Sequence, residues 1–184
     1  DEIFISEKLT KKLINYDLLT HNWLDKRLLR NGLITEPALA RFLPRLLPSS
    51  IPVMLASSSP IRDWLSYSGK GAFLRRCFGF RGASGIDGTL SMGMGLSIIM
   101  GRMILITGDL ALLHDTNGWL FSKNKNTNLI VILIDNGGGG IFNQLNIDKI
   151  QEGDFEEIFL MPQQVCPLTL AKAYGVKYKQ VACL

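Results

Sequence analysis

The residues best equipped for chemistry in this chain are a carboxylate and an amide, each at the end of an apolar run. Met103-Ile-Leu-Ile-Thr107 stops at Gly108-Asp109, and Leu129-Ile-Val-Ile-Leu-Ile134 stops at Asp135-Asn136 and four glycines, Gly137 to Gly140. Asn136 follows Asp109 by 27 residues. A carboxylate, an amide oxygen and a glycine-rich turn with free carbonyls make a hard, all-oxygen half-shell. Such a shell suits Mg²⁺, which wants octahedral oxygen ligands and usually takes one or two carboxylates plus phosphates. Residues after Asp109 begin a helical segment, whose unpaired N–H groups favour an anion at the same place. The glycines let backbone approach a ligand with no Cβ in the way. An Asp at a strand end and an Asn-Gly turn are also ordinary loop residues. Their occurrence together, at this separation, is what points to a site.

The elements that must position them follow from the patterning. Two β-rich runs joined by a helix read as a right-handed βαβ unit with parallel strands. Asp109 and Asn136 then share the carboxyl edge of a sheet, where open α/β sheets bind ligands. Upstream, a helix starts at Thr35-Glu36-Pro37, with Thr as cap and Pro in the first turn. It carries Leu39, Phe42, Leu43 and Leu46 on one face and is closed by Pro48. A buried strand over Val53 to Ala56 runs into Ser57-Ser58-Ser59-Pro60, where a helix bearing Arg62 begins. A short strand around Phe78 to Phe80 leads through the loop Arg81 to Gly88 into a helix over Leu90 to Met100. Asp148 to Glu157 reads as charged and irregular, Pro167 to Tyr174 as a helix capped by Gly175, and Val176 to Val181 as a last strand. The fold class expected is α/β, an open, mainly parallel sheet with helices on both faces. Residues 1–33, with Lys8, Lys11, Lys12, Lys26, Arg27 and Arg30, read as a polar connecting segment from a preceding domain. Residues 34–184 read as one binding domain, truncated at its C-terminus.

Composition narrows the function classes. A chain of 184 residues with 47% hydrophobic content builds a real core. Three cysteines, Cys77, Cys166 and Cys183, form no C-x-x-C pair, which fits a reduced, cytoplasmic setting. Two histidines, His21 and His114, leave little for a zinc cluster or a His-based triad. The net charge of +4 is not gathered into a stripe with interleaved aromatics, so no nucleic-acid partner is expected. The longest charge-free apolar run, Gly88 to Gly101, has 14 residues and is too short for a membrane span. Neither a G-x-G-x-x-G turn between strand and helix nor a Walker phosphate loop is present.

The pair Gly108-Asp109 and Asn136 resembles the motif of the thiamine-diphosphate enzymes, Gly-Asp-X followed some 25 to 30 residues later by Asn-Asn. The resemblance implies that Asp109, Asn136 and the Gly138 carbonyl bind Mg²⁺ (or Mn²⁺), which holds the diphosphate of thiamine diphosphate. Asp135 replaces the first Asn of the motif. Arg81-Gly-Ala-Ser-Gly-Ile-Asp-Gly88, the stretch Gly108 to Asn117, Ile141-Phe142 and Ser58-Ser-Pro-Ile-Arg-Asp63 resemble, more narrowly, the carboligase branch that serves menaquinone and phylloquinone biosynthesis. This resemblance runs from about Thr35 to the C-terminus.

What it implies is a decarboxylation of 2-oxoglutarate followed by addition of the succinyl-semialdehyde carbanion to isochorismate, the cofactor carrying the hard step. Gly108, Asp109, Leu110, Ala111, Asn136, Gly138, Gly139, Ile86, Ile141 and Phe142 would contact cofactor. Ser58, Arg62 and Arg81 would hold substrate, since a guanidinium fork meets a carboxylate bidentately. Ala111 stands where many relatives have Ser, removing one diphosphate hydrogen bond. Asp115 and Asn117 are expected to cap or brace the helix after Asp109, and His114 to be a hydrogen-bonded structural residue. The family's activating glutamate belongs to a separate pyrimidine-binding domain. None of Glu2, Glu7, Glu36, Glu152, Glu156 and Glu157 has the matching apolar strand context, so no catalytic residue is expected in this chain. The complete enzyme is expected to be a homodimer or homotetramer with its active site between domains of two subunits. Two alternatives remain open: another thiamine-diphosphate 2-oxoacid decarboxylase or acetohydroxyacid-synthase relative, and a non-catalytic nucleotide-binding α/β module.

Overall fold

Parallel strands buried on both faces need apolar side chains at every position rather than at alternate ones, and the central runs of this chain meet that demand. In the computed structural model, which describes residues 6–28, 34–145 and 152–182, four strands form one parallel sheet. They are β1 (Val53–Leu55), β2 (Cys77–Gly79), β3 (Met103–Gly108) and β4 (Leu129–Ile134), in the order β2-β1-β3-β4. Successive side chains of the strands divide between two cores. Val53, Leu55, Ile104 and Ile106 pack with Leu43, Ile61 and Trp64 from helices α2 (Glu36–Leu46) and α3 (Ser59–Tyr67). Met54, Met103 and Leu105 face the opposite way, onto Leu90 and Met94 of α4 (Thr89–Met100) and Leu112 of α5 (Asp109–His114). The expected α/β sheet with helices on both faces is thus observed.

Local chemistry sets the helix ends as the sequence indicates. Thr35 accepts a hydrogen bond from the Ala38 N–H at 3.3 Å and caps α2. Gly175, at φ 71°, ends α7 (Pro167–Ala173), and its N–H donates to the Lys172 carbonyl at 2.9 Å.

Two expectations are corrected. Val176 to Val181 forms no strand; Val176 N–H donates to the Ala171 carbonyl, and the segment has no sheet neighbour among the described residues. β-branched residues favour a strand only where a partner ladder is in reach. Within the stretch expected to be irregular, Glu152–Phe155 is helical (α6) and Glu156–Leu160 is a π-helical turn, while residues 146–151 lie outside the described residues. The expected connecting segment holds a 22-residue helix, α1 (Glu7–Leu28), none of whose residues is buried.

Because α1 buries no apolar face, polar anchors must hold it. Arg41, 1% exposed, reaches from α2 to the Asp25 carboxylate at 2.7 Å, to His21 Nδ1 at 2.8 Å and to the carbonyls of His21 and Tyr67. The hydrogen bond from Arg41, reinforced by Arg45, holds the Asp25 carboxyl below its ordinary pKa. A second buried arginine, Arg75, closes the end of α2. Its Nη1 donates to the carbonyls of Pro48 and Ile51 at 2.7 and 2.8 Å, and its Nη2 to those of Leu47 and Pro44 at 2.8 and 3.3 Å. These carbonyls belong to a helix end and the turn leading into β1, and none has a regular ladder to join. Replacement of Arg75 by Ala leaves the Pro44, Leu47 and Ile51 carbonyls without this donor, while the Pro48 carbonyl keeps the Ile51 N–H at 3.1 Å. We expect a loss of about 2–4 kcal/mol in the denaturant unfolding free energy. Arg75→Lys should recover less than half of it, because an ammonium cannot span the four acceptors.

Candidate metal and diphosphate site

Strand register alone brings the functional loops together. β3 and β4 pair from Met103 opposite Leu129 to Gly108 opposite Ile134, so Asp109 and Asp135-Asn136 leave the sheet side by side. β1 pairs with β3 up to Leu55 opposite Ile106, and the Ala56 N–H still donates to the Ile106 carbonyl at 2.9 Å. Ser57 to Ser59 therefore emerge beside Gly108. β2 ends at Gly79, opposite Leu55, so Arg81 emerges next in the row. Parallel strands share one carboxyl edge, and that edge is where this cavity opens.

The cavity is about 340 Å³ in volume, and all thirteen residues expected to contact cofactor or substrate line it. On one side are Gly108, Asp109, Leu110 and Ala111; on another Asn136, Gly138, Gly139, Ile141 and Phe142; Ser58 and Arg62, and Arg81 with Ile86, complete the wall. A larger cleft of about 670 Å³ lies between α1, α3 and β2, but it gathers mostly apolar and neutral polar side chains around the single carboxylate of Asp17.

Asp109 is 7% exposed. Burial raises its pKa from the usual carboxylate value. The N–H of Leu110, which donates to Oδ1 at 2.8 Å, and the Gly138 backbone oppose that rise, while nearby Asp135 adds to it. No cationic side chain pairs with Asp109 among the described residues. A buried carboxylate with no counter-charge fits a site built to receive a cation. Asn136 contributes an amide whose Nδ2 donates to Glu36 Oε1 at 2.5 Å, leaving Oδ1 open.

The glycines are there for space. Gly137 and Gly138 have φ of 80° and 126°, and a Cβ on Gly138 would collide with the Leu160 carbonyl oxygen. Gly139 N–H donates to that oxygen at 2.6 Å, so the π-helical turn backs the glycine loop. Phe159 of the same turn packs edge-on against Phe142, ring centroids 5.5 Å apart. The donor set, the open amide oxygen and the cradle that only glycine leaves free all fit a hydrated divalent ion bearing phosphate oxygens.

Other placements are more specific than the sequence indicates. α5 is only six residues long, and its Leu110 N–H is engaged by Asp109, so the helix end adds less to anion binding than expected. Ser58 has φ 75° and ψ −140°, a conformation unfavourable for a residue with a side chain and found where surrounding structure enforces it. Arg62 Nη1 donates to the Ser58 carbonyl at 2.8 Å and steadies this turn. Arg81 is exposed and has no ion pair among the described residues. Asp115 braces α4 rather than the helix after Asp109, accepting from Ser91 N and Oγ at 2.6 and 2.9 Å. Asn117 accepts a long bond from Tyr174, and His114 is exposed with no side-chain hydrogen bond among the described residues, contrary to expectation.

Glu36, Ser57 and Ser59 are wall residues that sequence reasoning passed over. Glu36 reads locally as an ordinary first-turn acid of α2, and no local signal ties it to Asn136, 100 residues away. Ser57 Oγ, Ser59 Oγ and Asp63 Oδ2 are buried with no hydrogen-bond partner among the described residues. Burial, then the negative charge of Glu36, pushes the Asp63 carboxyl up to about 6. With a folded-state pKa above the ordinary value, its contribution to stability is whole below about pH 4 and is lost as pH rises through 6. Asp63→Asn should therefore unfold later than wild type above pH 7, by about 1–2 kcal/mol after solvent screening, with the gap closing near pH 4. A gap independent of pH would show that Asp63 ionises normally.

Comparison with known proteins agrees with this geometry. Residues 57–183 match the family described as thiamine pyrophosphate enzyme, C-terminal TPP binding domain. The chain is 86% identical over 184 residues to a 2-succinyl-5-enolpyruvyl-6-hydroxy-3-cyclohexene-1-carboxylate synthase of Prochlorococcus marinus (strain NATL1A), covering 100% of this chain and 31% of that relative. The synthase of the same name from strain NATL2A is 85% identical over the same span, again 31% of its length. That of Parasynechococcus marenigrum (strain WH8102) is 60% identical over 161 residues, 88% of this chain and 29% of the relative. The chain spans about a third of the length of these curated relatives. With more than half of its residues matched, the chain belongs to the thiamine pyrophosphate enzymes, as their C-terminal TPP-binding domain.

Proposed function

We propose that the carboxyl-edge cavity holds thiamine diphosphate through a divalent ion, Mg²⁺ or Mn²⁺, bound by Asp109, Asn136 Oδ1 and the Gly138 carbonyl. The observation that carries this is the buried carboxylate of Asp109, with no cationic partner among the described residues, in the same cavity as an amide oxygen left open. We further propose that the protein bearing this domain decarboxylates 2-oxoglutarate and joins the resulting succinyl-semialdehyde unit to isochorismate. The relatives' name describes a product with a succinyl group, an enolpyruvyl group and a ring carboxylate. Substrates of that kind are polyanionic, and the cavity wall offers Arg62 and Arg81 to receive them.

When bound, thiamine diphosphate supplies the carbon nucleophile and the electron sink for decarboxylation. The residues of this chain supply position and charge. Asp109 and Asn136 would hold the ion and through it the diphosphate end, and the Gly138 carbonyl, which accepts the Gly140 N–H at 2.9 Å, would offer its second lone pair. Ile86, Ile141 and Phe142 would give apolar contacts to cofactor or substrate. Arg62, steadied through the Ser58 carbonyl, and Arg81, free of any ion pair among the described residues, orient substrate carboxylates. Glu36 is the one described glutamate that lines the cavity, and it is engaged by Asn136 at the metal end. We place the proton-handling glutamate that the family resemblance implies in a part of the protein outside this chain. A homodimer or homotetramer whose second subunit covers the cavity would supply it. Among the described residues no helix is long and apolar enough to cross a membrane.

Calorimetry of the full-length protein with thiamine diphosphate and Mg²⁺ tests the first claim. Asp109→Ala should weaken binding by at least about tenfold, in line with loss of a metal-binding carboxylate. Equal binding by both proteins would point to a nucleotide-type module instead. For the second claim, Arg81→Ala should cost about 2–5 kcal/mol in kcat/KM for 2-oxoglutarate or isochorismate. A change under about threefold would place Arg81 on an ordinary surface.

A further inference from the structure

We infer that Glu36 is a positioning residue of the metal site, orienting the Asn136 amide so that Oδ1 rather than Nδ2 faces the ion. The inference rests on the metal-site reading and extends it to a residue outside the strand-end motif. Glu36 Oε1 lies 2.5 Å from Asn136 Nδ2, and both residues line the same cavity. An ionised carboxylate only accepts hydrogen bonds, whereas an amide carries a donor end and an acceptor end. Glu36 therefore selects one of the two amide orientations, the one that leaves the oxygen for a cation. With the amide reversed, Asn136 would present N–H groups to Mg²⁺ and lose a ligand.

The positioning is built on rigid parts. Glu36 opens α2, whose start is fixed by the Thr35 cap and by Pro37 and whose end is fixed by Arg75. The amide also lies against Gly140, where an added Cβ would come within 2.6 Å of Nδ2. A carboxylate that takes Nδ2 and a neighbour without a side chain together make room for the amide in this orientation. Outer partners of this kind commonly change metal affinity by about 10- to 100-fold.

Mn²⁺ binding to the full-length protein at saturating thiamine diphosphate, read as loss of the free-ion electron paramagnetic resonance signal, tests this without relying on turnover. Glu36→Ala should weaken Mn²⁺ binding by about 10- to 100-fold, and Glu36→Gln, whose amide oxygen still accepts from Nδ2, should stay within about fivefold of wild type. If Glu36 acts through Asn136, the double variant Glu36→Ala/Asn136→Ala binds no worse than Asn136→Ala alone. Gly140→Ala leaves the start of α2 intact and displaces the amide. It should also weaken Mn²⁺ at least about fivefold, and it carries the test if Glu36→Ala does not fold. Wild-type affinity in Glu36→Ala or Gly140→Ala, or additive losses in the double variant, would overturn the role of Glu36 while Asp109→Ala and Asn136→Ala still lose the ion. Wild-type affinity in Asp109→Ala and Asn136→Ala would remove the metal site itself.

Discussion

A buried negative charge without a positive partner is the constraint around which this domain is arranged. Asp109 is almost fully enclosed, accepts a backbone N–H from Leu110, and meets no cationic side chain among the described residues. Left alone, such a group costs stability; given a divalent ion, the same burial strengthens the attraction because little water screens it. The surrounding features read as consequences. Asn136 leaves its oxygen free, the glycine loop lines the same cavity, and Ile86, Ile141 and Phe142 make part of the wall apolar.

Holding these groups in place falls to the sheet and to two buried arginines. The six-residue pairing of β3 with β4 fixes where Asp109 and Asn136 leave the sheet, and a slip of one residue would turn every side chain of β4 to the wrong face. Arg75 ties the end of α2 to the turn before β1, so the first turn of α2 stays at the cavity with Glu36 in it. Arg41 does the equivalent for α1. Both arginines bond mainly to oxygens with no place in a regular ladder, which makes them framework rather than substrate clamps. Arg62 and Arg81 are different: they lie at the cavity, and Arg81 has no ion pair among the described residues.

Strain and unmet hydrogen bonds cluster on one wall. Ser58 has a positive φ, and the neighbouring hydroxyls of Ser57 and Ser59 and one oxygen of Asp63 are buried without partners among the described residues. Secondary structure does not need any of these features. They concentrate where the chain turns from β1 into α3, which is also where substrate is proposed to lie. Structure that is costly in the free chain and placed at a cavity is what a ligand-receiving turn looks like.

The amino-acid sequence by itself determined the parallel α/β sheet, the two strand ends that carry Asp109 and Asn136, and the glycine loops. Those features follow from local rules: apolar runs of strand length, turn residues after them, and the shared edge that parallel pairing imposes. Thr35 and Gly175 were legible for the same reason, since a cap is set within a few residues. Tertiary structure alone decided which groups meet across the chain. Glu36 reaches Asn136 from 100 residues away, Asp115 braces α4 instead of its own helix, and Val176 to Val181 stays out of the sheet for want of a neighbour. None of these has a sequence period or a capping signature, because each depends on how finished elements pack. A side chain's local propensity says what element it suits, and only packing says what it will touch.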